Sequence, residues 1–190
     1  MKKLLLGIAA VCLAGFTFAQ DAPLWMRHSV ISPDGTTIAF TYKGDIYTVP
    51  VAGGRAMQIT TNPAYDTAPV WSPDSKRIAF ASDRMGSLDV YIVAKDGGEP
   101  RRLTTHSGSE TPLAFTDAGH VLFSAGIMPS AEAVVFPSNG QFNQVYRVSV
   151  EGGRPTMISS MPMECISINK EGAMLYQDKK GYEDYRSEEH

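Results

Sequence analysis

The chain has 190 residues, 43% of them hydrophobic and 19% charged, with a formal net charge of −3 and two cysteines. This is ordinary globular composition, with enough apolar material to build a core. The acidic balance argues against nucleic acid or an anionic membrane as partner, because both select for clustered Lys and Arg.

Residues 1–19 read as a bacterial-type secretory signal peptide. Met1-Lys2-Lys3 is a basic start, Leu4 to Phe18 an apolar stretch, and Thr17-Phe18-Ala19 a small-x-small cleavage motif before Gln20. The apolar stretch is short for a membrane span, so no transmembrane segment is expected after its removal and the protein is expected to be exported, to the periplasm or outside the cell. Removal of Lys2 and Lys3 leaves 15 basic against 20 acidic residues, a net charge of −5. It also leaves Cys165 as the only cysteine, so no internal disulfide is available, and Cys165 is read as a packing residue. Residues 20–26 form a lead-in able to supply a ring-closing strand.

From there the chain repeats. The first unit, 27–69, carries Ile31-Ser32-Pro33-Asp34-Gly35, then Ile38-Ala39-Phe40, a tight turn at Thr41 to Asp45, Ile46-Tyr47, Gly53-Gly54 and Ile59-Thr60. The second, 70–113, is the most regular. Trp71-Ser72-Pro73-Asp74-Ser75, Ile78-Ala79-Phe80, Val90-Tyr91, Gly97-Gly98 and Leu103-Thr104 follow in the same order. Short β-branched and aromatic runs between Pro, Gly, Asp and Ser punctuation predict four antiparallel strands joined by hairpins. Ile78 to Ala81 and Val90 to Val93 are apolar on both alternating faces, so both faces of this sheet must be covered. The third unit, 114–164, repeats the anchors at Val121-Leu122-Phe123, Val145-Tyr146, Gly152-Gly153 and Ile158-Ser159, with an insertion at 126–144 where binding loops tend to sit. The fourth, 165–190, supplies two strands, with Met174-Leu175-Tyr176 at the second, and then turns polar. The recurring aromatic falls at Phe40, Phe80, Phe123 and Tyr176. A four-strand unit of roughly 40 to 45 residues is the spacing of β-propeller blades. The fold class is therefore all-β, a partial propeller of about three and a half four-stranded antiparallel blades. Three and a half blades do not close a ring, so the chain is expected to be a piece of a longer protein.

Motifs for chemistry are sparse. Each Gly-Gly pair sits between strands and not before a helix, so none is a phosphate loop, and no cofactor is expected. His28, His106, His120 and His190 lack zinc spacing, and no G-x-S-x-G elbow occurs. Asp83 and Asp89 flank a loop, but without a calcium pattern. Arg101-Arg102 reads as part of a solvated outer strand. Asp66 and Glu110 fall in equivalent links, Tyr65-Asp66-Thr67-Ala68-Pro69 and Ser109-Glu110-Thr111-Pro112, just before the innermost strands. Such links border the central channel, so these two carboxylates are the candidate binding residues. The alternative is that they accept loop backbone N–H groups.

The stretch from Ser72 to Thr104, SPDSKRIAFASDRMGSLDVYIVAKDGGEPRRLT, resembles the TolB-type propeller repeat. The array starts directly after the signal segment, Tyr42 to Tyr47 resembles a first blade, and Phe136-Pro137-Ser138 followed by Gln144-Val145-Tyr146 resembles a long blade insertion. These features are most similar to the N-terminal propeller of exported bacterial tricorn-like serine peptidases. The resemblance implies a catalytic region with a PDZ-like module beyond His190, so no catalytic residue is carried over. It implies a peptide or protein ligand, with the propeller guiding or filtering substrates. The alternative is a TolB-like periplasmic propeller that acts as a protein-binding module.

Overall fold

The computed structural model describes residues 25–126, 143–159, 163–169 and 171–178. The signal segment, most of the lead-in, most of the insertion at 126–144 and the end of the fourth unit lie outside these residues.

Among the described residues, fourteen strands form four antiparallel sheets and no helix occurs. The first sheet runs β1 (Arg27–Ile31), β2 (Thr37–Tyr42), β3 (Asp45–Pro50), β4 (Met57–Gln58). The second runs β5 (Asp66–Trp71), β6 (Arg77–Ser82), β7 (Asp89–Ala94), β8 (Arg101–Arg102). The third comprises β9 (Glu110–Asp117), β10 (His120–Ala125), β11 (Gln144–Ser149) and β12 (Thr156–Ser159), and the last pairs β13 (Met163–Ile168) with β14 (Met174–Asp178). Each four-stranded sheet is a meander, and the inner strand of each sheet packs against its neighbour's, β1 on β5 on β9 on β13.

Local chemistry explains the hairpins. Ser32 Oγ donates to Asp34 Oδ1 (2.6 Å) and accepts the Thr37 N–H (3.0 Å), closing the β1–β2 turn. Ser72 does the same with Asp74 (2.5 Å) and Arg77 (2.9 Å). These side chains supply the bonds that a tight turn withholds from its own backbone. The Ser32 hydroxyl and the Thr36 groups hold the Asp34 carboxyl down at about 2. After the third strand, both glycines of each Gly-Gly pair lie at positive φ, 91° and 118° in Gly97-Gly98, a backbone that any Cβ would strain.

The alternation of the middle strands decides the stacking. Ile78, Phe80, Tyr91 and Val93 point to the first sheet, where they meet Ala39, Ile46 and Ile59. Ala79, Val90 and Ile92 point the other way and meet Phe115, Val121, Phe123 and Tyr146 of the third. Both faces are covered, as their apolar composition predicts. Burying a side chain such as Phe80 or Phe123 stabilises by about 1.5 to 3 kcal/mol. The repeated aromatics are cross-strand partners. Phe40–Tyr47, Phe80–Tyr91 and Phe123–Tyr146 pair in register and stack at 5.8, 6.0 and 5.7 Å.

Each inner strand carries a bulge, which places His28, Ala68 and Cys165 at φ of 50 to 51° in β1, β5 and β13. Cys165 is exposed, which corrects its reading as a packing residue. Its strand belongs to the two-stranded sheet, and among the described residues nothing stacks over that side chain. The base of the insertion is closed by pairing of Ala125 with Gln144.

Candidate functional site

Asp66 and Glu110 are the first residues of β5 and β9, not members of the links before them. The difference has a local cause. The Asp66 N–H donates to Gly44 O and the Glu110 N–H to Leu88 O, both at 2.7 Å, so each residue is tied to the β2–β3-type turn of the preceding sheet. Both side chains are 0% exposed. The structure therefore places the two predicted carboxylates at equivalent positions, inside the junctions between sheets.

Around Asp66 the charges balance. Arg84 Nη2 donates to both carboxylate oxygens (3.2 and 3.1 Å), and its Nε donates to Ser82 Oγ (2.8 Å). The guanidinium lies 4.4 Å from the centroid of the Tyr91 ring and 5.7 Å from that of Phe80, an arrangement suited to cation–π attraction in a water-poor site. The neighbouring acid, Asp45, accepts from Gln58 Nε2 (3.0 Å) and from the Thr60 hydroxyl (3.3 Å). Burial, and secondarily the charge of Asp66, raises the Asp45 carboxyl.

Around Glu110 they do not. Asp89, equivalent to Asp45, is 0% exposed, and Arg102 Nη2 reaches its Oδ2 at 2.8 Å. No N–H is aimed well at either Asp89 oxygen, and neither Glu110 oxygen has a hydrogen bond of good geometry, although Thr104 lies beside it. Burial pushes the Glu110 carboxyl up to about 7. The Asp89 charge adds to this, against the opposing effects of Thr104 and Arg102. His106 Nδ1 is 4.0 Å from Glu110 Oε1 but accepts the Gly108 N–H at 3.0 Å. Tyr91 stands between the two nodes, and burial raises its hydroxyl.

Arg84, Tyr91, Thr104 and Arg102 were not singled out as site residues from the sequence. Arg102 is the instructive case. Its neighbour Arg101 is exposed and pairs with exposed Glu151 at 2.8 Å, whereas Arg102 turns to a buried acid, because successive side chains in a strand point to opposite faces. The expected solvated doublet is thus half correct. In the Asp83–Asp89 loop, Asp83 Oδ1 accepts the Tyr65 N–H (2.8 Å) and Asp89 faces Arg102. Among the described residues, no three His, Cys, Asp or Glu side chains are placed to hold a metal ion. His28 Nδ1 lies 3.1 Å from Thr67 Oγ1 across the first junction. At the other end of that junction, a groove of about 260 Å³ is lined by Trp71, Met57, Arg55 and Lys95, among others.

Known proteins share this architecture. The chain is 35% identical over 102 residues to tricorn protease homolog 1 of Streptomyces coelicolor, which covers 53% of the chain and 9% of that protein. It is 30% identical over 129 residues to the uncharacterized peptidase YuxL of Bacillus subtilis, covering 67% of the chain and 20% of the relative. The chain thus spans a fifth or less of the length of these relatives. The crystal structure of TolB from Acinetobacter baumannii has the same fold, with a TM-score of 0.60 at 19% identity over 82% of the chain and 38% of TolB. The family model of the tricorn protease N-terminal β-propeller domain matches residues 23–189, nearly the whole repeat array, and the chain belongs to that family.

Proposed function

We propose that this chain is the non-catalytic N-terminal propeller of an exported tricorn-like serine peptidase, and that it guides or filters peptides toward an active site elsewhere in the same protein. The observation that carries this reading is the family match over residues 23–189, a span that includes all four sheets. The similarity to two relatives named as a protease homolog and a peptidase supports it. So does the basic, apolar and small-residue order of residues 1–19 for export.

The mechanism is geometric. Inner strands set side by side around an axis leave a passage that an extended chain can thread and a folded domain cannot. Selection of this kind requires blades that do not splay. Asp66 and Glu110 enter as buried junction residues at the start of the inner strands.

The test uses the full-length protein carrying this chain. One flexible peptide is offered free and also embedded in a stably folded domain. Selective cleavage of the free peptide, with the preference reduced in a variant whose first junction is broken (Arg84→Met), supports filtering. A full-length protein that cleaves neither peptide but binds an envelope protein would establish the TolB-like binding module instead.

A further inference from the structure

The two nodes are built on the same backbone but distribute their cations differently. In the first, the inner-strand acid Asp66 has Arg84 and the third-strand acid Asp45 has the neutral amide of Gln58. In the second, Arg102 occupies the place of Gln58, opposite Tyr91 as Gln58 is opposite Tyr47, and goes to the third-strand acid Asp89. Among the described residues nothing equivalent to Arg84 serves Glu110. Arg84 stands two residues after Ser82, which pairs with Asp66, and two residues after Ala125, which pairs with Glu110, the sequence has Ile127.

Other groups do not make up the difference. From β7 come Asp89 and Tyr91, from β8 Arg102, and from the link before β9 Thr104 and His106, whose Nδ1 already accepts from Gly108. β5 brings Asp66, neutralised by Arg84, β6 ends in Ser82, and β10 sets Ala125 opposite Glu110. Two carboxyl groups, each 0% exposed, thus share one guanidinium, and all four of their oxygens lack well-aimed donors. Among the described residues this node has one positive charge fewer than it has carboxyl groups. Two such acids cannot both ionise without a large Coulomb and desolvation cost.

We infer that Glu110 keeps its proton and turns it toward Asp89, making the junction of the second and third sheets a proton-binding site that loosens when the proton leaves. Protonated Glu110 supplies the O–H donor that Asp89 lacks, and the node then carries one anion and one cation. Deprotonation leaves two anions beside Arg102, and the strain falls on the Glu110 N–H to Leu88 O bond that ties β9 to the preceding sheet.

Infrared difference spectra of the full chain minus its Glu110→Gln variant test this directly, together with amide exchange at Glu110 corrected for the intrinsic pH dependence. The expected result is a protonated-carboxyl band that disappears with a midpoint near neutral pH, and at least tenfold faster exchange of the Glu110 amide above that midpoint. Glu110→Gln should abolish the exchange step. Asp89→Asn is the second variant. It removes the competing anion, leaves Glu110 with Arg102, and should lower the midpoint by at least one pH unit. A carboxylate already ionised at pH 5.5, an exchange step that persists in Glu110→Gln, or a midpoint unmoved by Asp89→Asn would each overturn the inference. A midpoint that moves with sodium or potassium concentration would put a metal cation in the proton's place and overturn it as well.

Discussion

The first and second junctions use the same backbone device with different charges. In both, a threonine hydroxyl accepts the N–H that follows the third-strand acid, Ile46 to Thr60 at 3.0 Å and Val90 to Thr104 at 2.9 Å. In both, the first residue of the next inner strand bonds to the preceding turn. The side chains diverge. Arg84 completes the first node with a buried ion pair over two aromatic rings, and the second leaves Glu110 and Asp89 to share Arg102. A repeat fixes where polar groups are buried, and the choice of one or two side chains then decides whether the site is a lock or a titratable group.

The contrast is broken most sharply at Arg84. Arg84→Met strands Asp66 as an uncompensated buried charge and should destabilise the protein by about 3 to 5 kcal/mol in denaturant unfolding. The double change Arg84→Met with Asp66→Leu should recover most of that loss, because the desolvation cost disappears with the charge.

Glu110→Gln should act in the opposite direction, and only at higher pH. A free glutamate titrates near 4.5, whereas the native carboxyl does so at about 7. Below the lower value both states are protonated and Glu110 has no effect. Between the two, the native state keeps a proton that the unfolded chain has lost, so stability falls as pH rises through this window and levels off above it. Glu110→Gln removes that slope. It should leave stability near pH 4.5 unchanged and raise it at pH 8 by on the order of 3 kcal/mol at most, since each pKa unit is worth about 1.4 kcal/mol. A variant that is equally affected at both pH values would show that the side chain acts only by packing.

Thr60→Val and Thr104→Val sharpen what the nodes share. Each leaves a backbone N–H without its partner, at a cost of about 1 to 3 kcal/mol. The two costs should match within experimental error, because the geometry does. Glu151→Ala, which removes the exposed partner of Arg101, should change stability by less than about 1 kcal/mol and less still at high salt.

What the sequence disclosed follows the range of the interactions. The Ser-Pro-Asp turns, the Gly-Gly turns and the Phe–Tyr pairs are satisfied within one hairpin, so their spacing alone located them. The apolar faces of Ile78–Ala81 and Val90–Val93 announced sheets on both sides. Asp66 and Glu110 were found because they recur in phase, but their burial depends on the preceding sheet closing over them, and no local pattern records that. Arg84 and Asp66 are 18 residues apart, and the split between Arg101 and Arg102 depends on which face of a two-residue strand each occupies. Cys165 failed as a packing residue for the same reason, since its burial would depend on a further layer and not on its own strand.

The most direct test of a non-catalytic propeller serving a serine peptidase is active-site labelling of the full-length protein with a fluorophosphonate probe, followed by mapping of the labelled peptide. The predicted result is one labelled serine outside residues 1–190, with label and peptide hydrolysis lost together when that serine is changed to alanine. Labelling of a serine within residues 1–190, or a folded full-length protein that takes no label and cleaves no peptide, would contradict it.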